Sequence, residues 1–432
     1  MTVVSFREYQ PIPVCSQLAN QTDQVLTNTE LDVLEALGAH LNISIIEYVS
    51  RTSVRPRQFV GSVQIGDRLL EFLPKIEPSG QSDLPVVRQN LLQMLLVTHD
   101  LDLNHTSLAD LTHTSGSWLD LLMRFFCQAL AAQLRHGLVK RYRVEEDDLH
   151  VVRGRLLLDE QLSRNFIHKE RMACEFDELD ESHHLNQAFK WVIRRMLQLA
   201  ISERTQQAAR ELLLVFSDVA DISVDRLDVT RIELDRSTER FRLCWELAKL
   251  FIAGNTSDLY GGAQQSFALL FDMNDLFEGY IGKTLRNALR RHRTRVLLQH
   301  SACHLVKEAT TGHRLFRLRP DIVIVDGQTT CCILDTKWKR LRPNQRKAGV
   351  SQSDLYQMYA YAGRHQCHSI LLLYPWDPGT GCLQGERKRF MVEGTDICIR
   401  IAEISLYDLK DVPAQLLGLL HEDLLEADSA SS

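Results

Sequence analysis

Three charged residues in the C-terminal third stand where a strand pair would bring them together. Asp321 opens the apolar run Ile-Val-Ile-Val, and Asp335 and Lys337 close the next strand-like run. Strand side chains alternate in direction, so Asp335 and Lys337 point to one face and Thr336 points away. Two acids and an amine suit phosphodiester hydrolysis. The acids would hold Mg²⁺, the ion would polarise the phosphate and acidify a bound water, and the cation would orient that water. A structural Asp–Lys ion pair is the competing reading. On the next helix Asp354, Gln357 and Tyr361 fall at i, i+3 and i+7, one face that could meet the strand ends. Glu278, beside the apolar seam of an earlier helix, is either a further metal ligand or a solvated helix residue.

The elements expected to position these residues are a helix over 273–291, strands near 296–306, 315–325 and 331–338, a helix over 354–364 and a buried strand over 370–374. The order is α-β-β-β-α-β. Asp326-Gly327 signals a hairpin between the second and third strands. Strand parity then makes a demand. A plain two-residue loop there would pair Asp321 with Cys332 and leave it on the face opposite Asp335 and Lys337. Shared chemistry requires an odd loop over 326–328 or a bulge near Pro320.

The rest of the chain reads as an α+β multidomain protein of 432 residues. Residues 1–100 form a small β-rich domain, marked by two runs flanking Gly66-Asp67. Residues 101–260 form a mainly helical, partner-binding or regulatory region, and residues 265–432 a nuclease-like domain with a mixed sheet. The polar stretch GNTSDLYGGAQQ, from Gly254 to Gln265, is expected to be the boundary, with the region before it folding alone. The acidic tail HEDLLEADSASS is expected to fray.

Composition narrows the possibilities. The apolar share of 44% and charged share of 25% are those of a folded globular chain. No apolar run is long enough to cross a membrane and the N-terminus has no signal-peptide pattern, so the expected location is cytoplasmic. Ten cysteines without a CxxC pair read as reduced thiols. A net charge of −6 argues against gripping nucleic acid over the whole surface, so any contact must be local. Candidate segments are 283–295, with Arg286, Arg290, Arg291, Arg293 and Arg295, and 337–347, with Lys339, Arg340, Arg342 and Arg346. Gly282-Lys283-Thr284 imitates the end of a phosphate-binding loop, but the required earlier glycine is Phe277 and the context is helical. No nucleotide is expected on this chain.

Four phrases in order, MNDLFEGYIG, LRPDIV, LDTKWK and SDLYQMYAYA, resemble the McrC family of the PD-(D/E)xK nuclease superfamily. LLEFLPKI and RGRLLLDEQLSRN are similar to it too, so the resemblance covers most of the chain. It implies an Mg²⁺-dependent DNA endonuclease subunit acting on double-stranded DNA in a modification-dependent restriction system. Its partner would be an McrB-like AAA+ GTPase ring that reads methylcytosine and whose GTPase this chain would stimulate. Asp321 and Asp335 match the family's metal-binding acids and Lys337 its catalytic lysine. Glu278 matches the helix acid that some members use as a metal ligand, and Gln357 and Tyr361 match the accessory catalytic QxxxY positions. Rival readings are a non-catalytic activator of an AAA+ partner and a stand-alone repair nuclease.

Overall fold

The computed structural model describes all residues except 19, 21, 22, 77–82, 102–115, 223–228, 230, 231, 257–265, 302, 342–346, 348, 378–383 and 430–432. The chain forms two compact units, one made of Met1–Leu121 with Asn255–Ser432, the other of Leu122–Gly254. This grouping differs from the linear division 1–100, 101–260 and 265–432, because the first and last segments share a sheet.

In the discontinuous unit, Phe59–Ile65 and Arg68–Leu73 pair antiparallel around Gly66-Asp67, as their alternation suggests, with Gly66 at φ 57°. Thr2–Arg7 adds to one edge of this pair in parallel. Ser266–Asp272 adds antiparallel to the other, placing Phe267 opposite Gln64 and Leu270 opposite Gly61. Gly61 has φ +133°, and a Cβ there would stand 2.0 Å from the Leu269 carbonyl oxygen, so the close strand approach requires glycine. The helix Asn28–Leu41 begins with a Thr27/Glu30 capping box. Glu30 also neutralises the buried Arg68 at 2.7 Å.

The site-bearing part is a six-stranded mixed sheet in the order Arg295–Leu298, Ile322–Asp326, Thr329–Thr336, Ser369–Pro375, Cys398–Ile404, Gly385–Met391. Its first two pairings are antiparallel, the next two parallel and the last antiparallel. The parallel step to Ser369–Pro375 needs a crossover, which the helix Gln352–His365 supplies. Met358, Tyr361 and Ala362 of that helix join Val323, Ile333, Ile370 and Leu372 in the core. The helix Met273–Ala288 packs on the helix Leu84–Thr98.

Several expectations change. The runs 296–306 and 315–325 are not single strands. Each divides between the main sheet and a separate two-stranded ribbon, His304–Lys307 with Arg314–Arg317. The expected boundary at Gly254 to Gln265 is partly strand, Asn255–Thr256, while residues 257–265 lie outside the described residues. The acidic tail does not simply fray. It forms the helix His421–Ser429, whose buried Asp423 pairs with the buried Arg400 of the sheet. A guanidinium in the interior needs such a counter-charge.

The Leu122–Gly254 unit is mainly helical, with an aromatic core of Phe126, Phe189, Phe241, Trp245 and Phe251. It also holds an unexpected antiparallel sheet of Arg141–Leu149, Met172–Asp180 and Arg155–Leu156. RYRVEEDDL is polar and mostly exposed along its length, so it lacks the alternation that reveals a half-buried strand. Among the described residues no helix is long and apolar enough to cross a membrane.

Candidate active site

The motif hairpin meets the parity demand by a route other than the two expected from the sequence. Asp326 pairs with Thr329 across a two-residue turn, with Gly327 at the positive φ of 59° that such a turn favours. Val325 pairs with Thr330, but Ile324 pairs with Cys332 and Ile322 with Leu334. The bulge falls at Cys331, not near Pro320, and the loop is not odd. From there the register is shifted by one, so Asp321, just before the strand, falls opposite Asp335.

Asp321 is anchored by Thr336, whose backbone N–H (2.7 Å) and hydroxyl (2.9 Å) both donate to Asp321 Oδ2. Strand alternation alone points Thr336 away from the site. Its hydroxyl and amide instead orient one of the acids, because Asp321 reaches across from beyond the end of its own strand. Asp335 is 1% exposed, and its Oδ2 is a buried oxygen that accepts no hydrogen bond among the described residues. That oxygen forms an ion pair with Lys337 Nζ. Burial, then the negative charge of Asp321, pushes the Asp335 carboxyl up to about 7 against the pull of Lys337. Burial also raises Asp321 above the ordinary range, despite its bonds to Thr336. For Lys337, burial favours the neutral amine, but Asp335, Asp321 and Asp354 outweigh it and the ammonium is strengthened.

Glu278 lies within electrostatic reach of Asp321, and its carboxyl is raised by burial first and by Asp321 second. Gln299 bridges it to the motif: the side-chain amide donates to Glu278 Oε1 (2.9 Å), its carbonyl oxygen accepts from Arg319, and its backbone N–H donates to the Asp321 carbonyl (2.7 Å). Gln357 and Tyr361 work one step back. Gln357 Nε2 donates to the Tyr361 hydroxyl (2.7 Å), which donates to the Arg319 carbonyl (3.1 Å) and so fixes the chain two residues before Asp321.

Sequence reasoning missed Gln299 and Arg319. It also missed the link from Trp338 to the N-terminal part of the unit, where the indole N–H donates to the Glu8 carboxylate at 2.9 Å. Nothing local in the sequence signals a contact 330 residues apart.

Five cations of the two basic segments pair with acids other than Asp321 and Asp335. Lys283 and Arg286 pair with Asp100, Arg293 pairs with Asp326, and Arg295 lies opposite Val325 near the hairpin turn, the far end from Asp321. In the second segment Lys339 pairs with Asp354 (3.7 Å) and Arg340 with Asp377 (3.0 Å). Arg342 and Arg346 lie outside the described residues.

The residues present fit a hard divalent cation. Asp335 offers a buried carboxylate oxygen in contact with the Lys337 ammonium, and Asp321 has both of its Thr336 bonds on a single oxygen. Among the described residues no three His, Cys, Asp or Glu side chains form a closed cage. Mg²⁺ typically keeps several waters and binds through one or two carboxylates, so two acids suffice for it, whereas a structural zinc would need more.

The comparisons with known proteins agree with the family suggested by the sequence phrases. The family model described as "McrBC 5-methylcytosine restriction system component" matches residues 54–375, and the chain belongs to that family. Within it the chain is McrC-like. A chain of the refined half-complex from the tetradecameric assembly of Thermococcus gammatolerans McrB AAA+ hexamers with bound McrC superposes with a TM-score of 0.77 at 19% identity, covering 97% of this chain and 99% of that one. A chain of the cryo-EM structure of the Thermococcus gammatolerans McrBC complex gives 0.54 at 20% identity, covering 66% and 88%. No curated protein matches the chain.

Proposed function

We propose that this chain is the DNA-cutting subunit of a two-component restriction system, an Mg²⁺-dependent endonuclease of the PD-(D/E)xK type. The observation that carries the reading is the Cys331 bulge, which brings Asp321 opposite Asp335 beside the ammonium of Lys337. A bulge that aligns a half-buried acid with a buried one costs ladder hydrogen bonds and electrostatic repulsion, and a catalytic site gives it a purpose.

Asp321 and Asp335 would hold the ion, with Glu278 a further acid within electrostatic reach of Asp321. When bound, Mg²⁺ supplies charge that polarises the phosphate and lowers the pKa of a water. Lys337, kept protonated by its acidic neighbours, donates to the attacking water and offsets charge growing on the phosphate oxygens. Thr336 holds Asp321 in place. Gln357 and Tyr361 act as positioning residues through the Arg319 carbonyl.

The partner in this reading is an McrB-like AAA+ GTPase ring that recognises methylcytosine in double-stranded DNA. Family membership and the solved assemblies of McrB AAA+ hexamers with bound McrC support it. The partner-binding role falls to the Leu122–Gly254 unit, whose sheet and adjoining loops expose Tyr142, Val144, Val151, Phe166 and Ile167. The test is plasmid cleavage by the purified chain with the partner, omitting Mg²⁺, GTP, the partner or the methyl group in turn. Each omission is expected to abolish cutting, and efficient cutting without Mg²⁺ would refute the metal assignment.

A further inference from the structure

The two-stranded ribbon His304–Lys307 with Arg314–Arg317 has no role in the site just described. It leaves the sheet after Leu298 and returns at Asp321, so its base is part of the site's frame. There the Leu318 N–H donates to the Cys303 carbonyl (2.9 Å), Arg317 Nε donates to the Ser301 carbonyl (2.9 Å), and Arg319 binds Gln299. Beyond the base, nearly every ribbon residue is exposed on both faces.

This exposure is unusual in two respects. An isolated two-stranded ribbon is only marginally stable in water, yet this one carries exposed Leu305, Val306 and Leu315, and Phe316 is 71% exposed. It is also basic in a chain of net charge −6: Lys307, Arg314 and Arg317 are set against Glu308 alone. Among the described residues no carboxylate pairs with Lys307 or Arg314.

We propose that this ribbon is the DNA-holding element of the chain, lying in a groove of the duplex whose backbone enters the Asp321–Asp335 site. The inference rests on the nuclease reading above and adds the surface that holds the substrate. Its dimensions suit the task, since a two-stranded ribbon fits the major groove, about 12 Å wide. The five residue steps from Leu318 to His313 extend about 17 Å at the usual rise per residue. Lys307 and Arg314, paired across the ribbon, meet phosphates, while Phe316 and Leu315 supply apolar contact with base edges or sugars. The ribbon also resolves the charge problem, because it gives an acidic protein one local cationic contact beside its acids. Arg319, two residues from Asp321, continues the positive charge to the site.

The test uses the full chain carrying Asp335→Asn, so that DNA is not consumed, and a labelled duplex of about 30 base pairs followed by fluorescence anisotropy. Reversing two charges, Lys307→Glu with Arg314→Glu, should weaken binding at least about tenfold. The dependence of log K on log salt should become shallower by about 0.9 for each phosphate no longer neutralised. The milder pair Lys307→Gln with Arg314→Gln should weaken binding less and leave the melting curve unchanged, which guards against misfolding. Unaltered affinity and salt slope in both variants, or no saturable binding by the parent chain, overturns the proposal. The nuclease reading fails separately. If Lys337→Ala abolishes cutting while the ribbon variants bind and cut normally, only the ribbon assignment is lost; if Lys337→Ala and Asp335→Ala both still cut, the site itself is wrong.

Discussion

Asp335 is the residue on which structure and chemistry conflict most visibly. A carboxyl that is 1% exposed and faces a second acid is costly in its charged form, and its value near 7 expresses that cost. Because the folded value lies above the unfolded one, the native state keeps a proton that the unfolded chain releases. Stability without metal therefore falls as pH rises from about 4, the ordinary Asp value, through about 7. Asp335→Asn removes the repulsion while keeping the shape. In EDTA at pH 8 it should be more stable than the parent by on the order of 1 kcal/mol, with the advantage vanishing near pH 4. It should also lose the upward shift in melting temperature that Mg²⁺ gives the parent. Scanning fluorimetry reads all three, and a variant that melts lower than the parent in EDTA yet still responds to Mg²⁺ would contradict the assignment.

At the scale of elements, the register from Ile324 onward decides whether the site exists, and Cys331 is the residue left over in reaching it. Deleting Cys331 should give a regular ladder without changing the register beyond it, so Ile324 still faces Cys332, Asp321 still faces Asp335, and the cleavage rate should stay within about tenfold of the parent's. A deletion variant that melts like the parent yet cuts at least about 100-fold more slowly would show that Cys331 matters for another reason. The runs Ile322–Asp326 and Thr329–Thr336, the crossover helix and the three charged residues were legible because apolar runs, turn residues and helical spacing are local signals. Parity said that a register shift must occur, but a bulge has no residue signature, so its place was not legible. The ribbon was absorbed into neighbouring strands for a similar reason, since its exposed apolar residues continue their β-like composition. The Arg141–Leu149 strand was hidden because it is exposed and polar throughout.

At the scale of the whole molecule, the unit that holds the site is discontinuous in sequence, and the region before Gly254 to Gln265 is not self-sufficient. A fragment of residues 1–262 lacks Ser266–Asp272, the strand that lies against Phe59–Ile65 and buries Phe267 and Leu269. It would leave an apolar strand edge unpaired, so it should aggregate or fail to melt cooperatively, as seen by size exclusion and circular dichroism. A soluble, cooperatively melting fragment would contradict this. Separation of cutting from partner stimulation must therefore be sought by point substitution in the full chain. The most direct measurement is single-turnover plasmid cleavage by Lys337→Ala in the complete complex, read beside the partner's GTPase rate. Both acids, and hence metal binding, remain in this variant. The expected result is a cleavage rate at least about 100-fold lower with undiminished GTPase stimulation; cutting at the parent rate by Lys337→Ala would contradict the nuclease site.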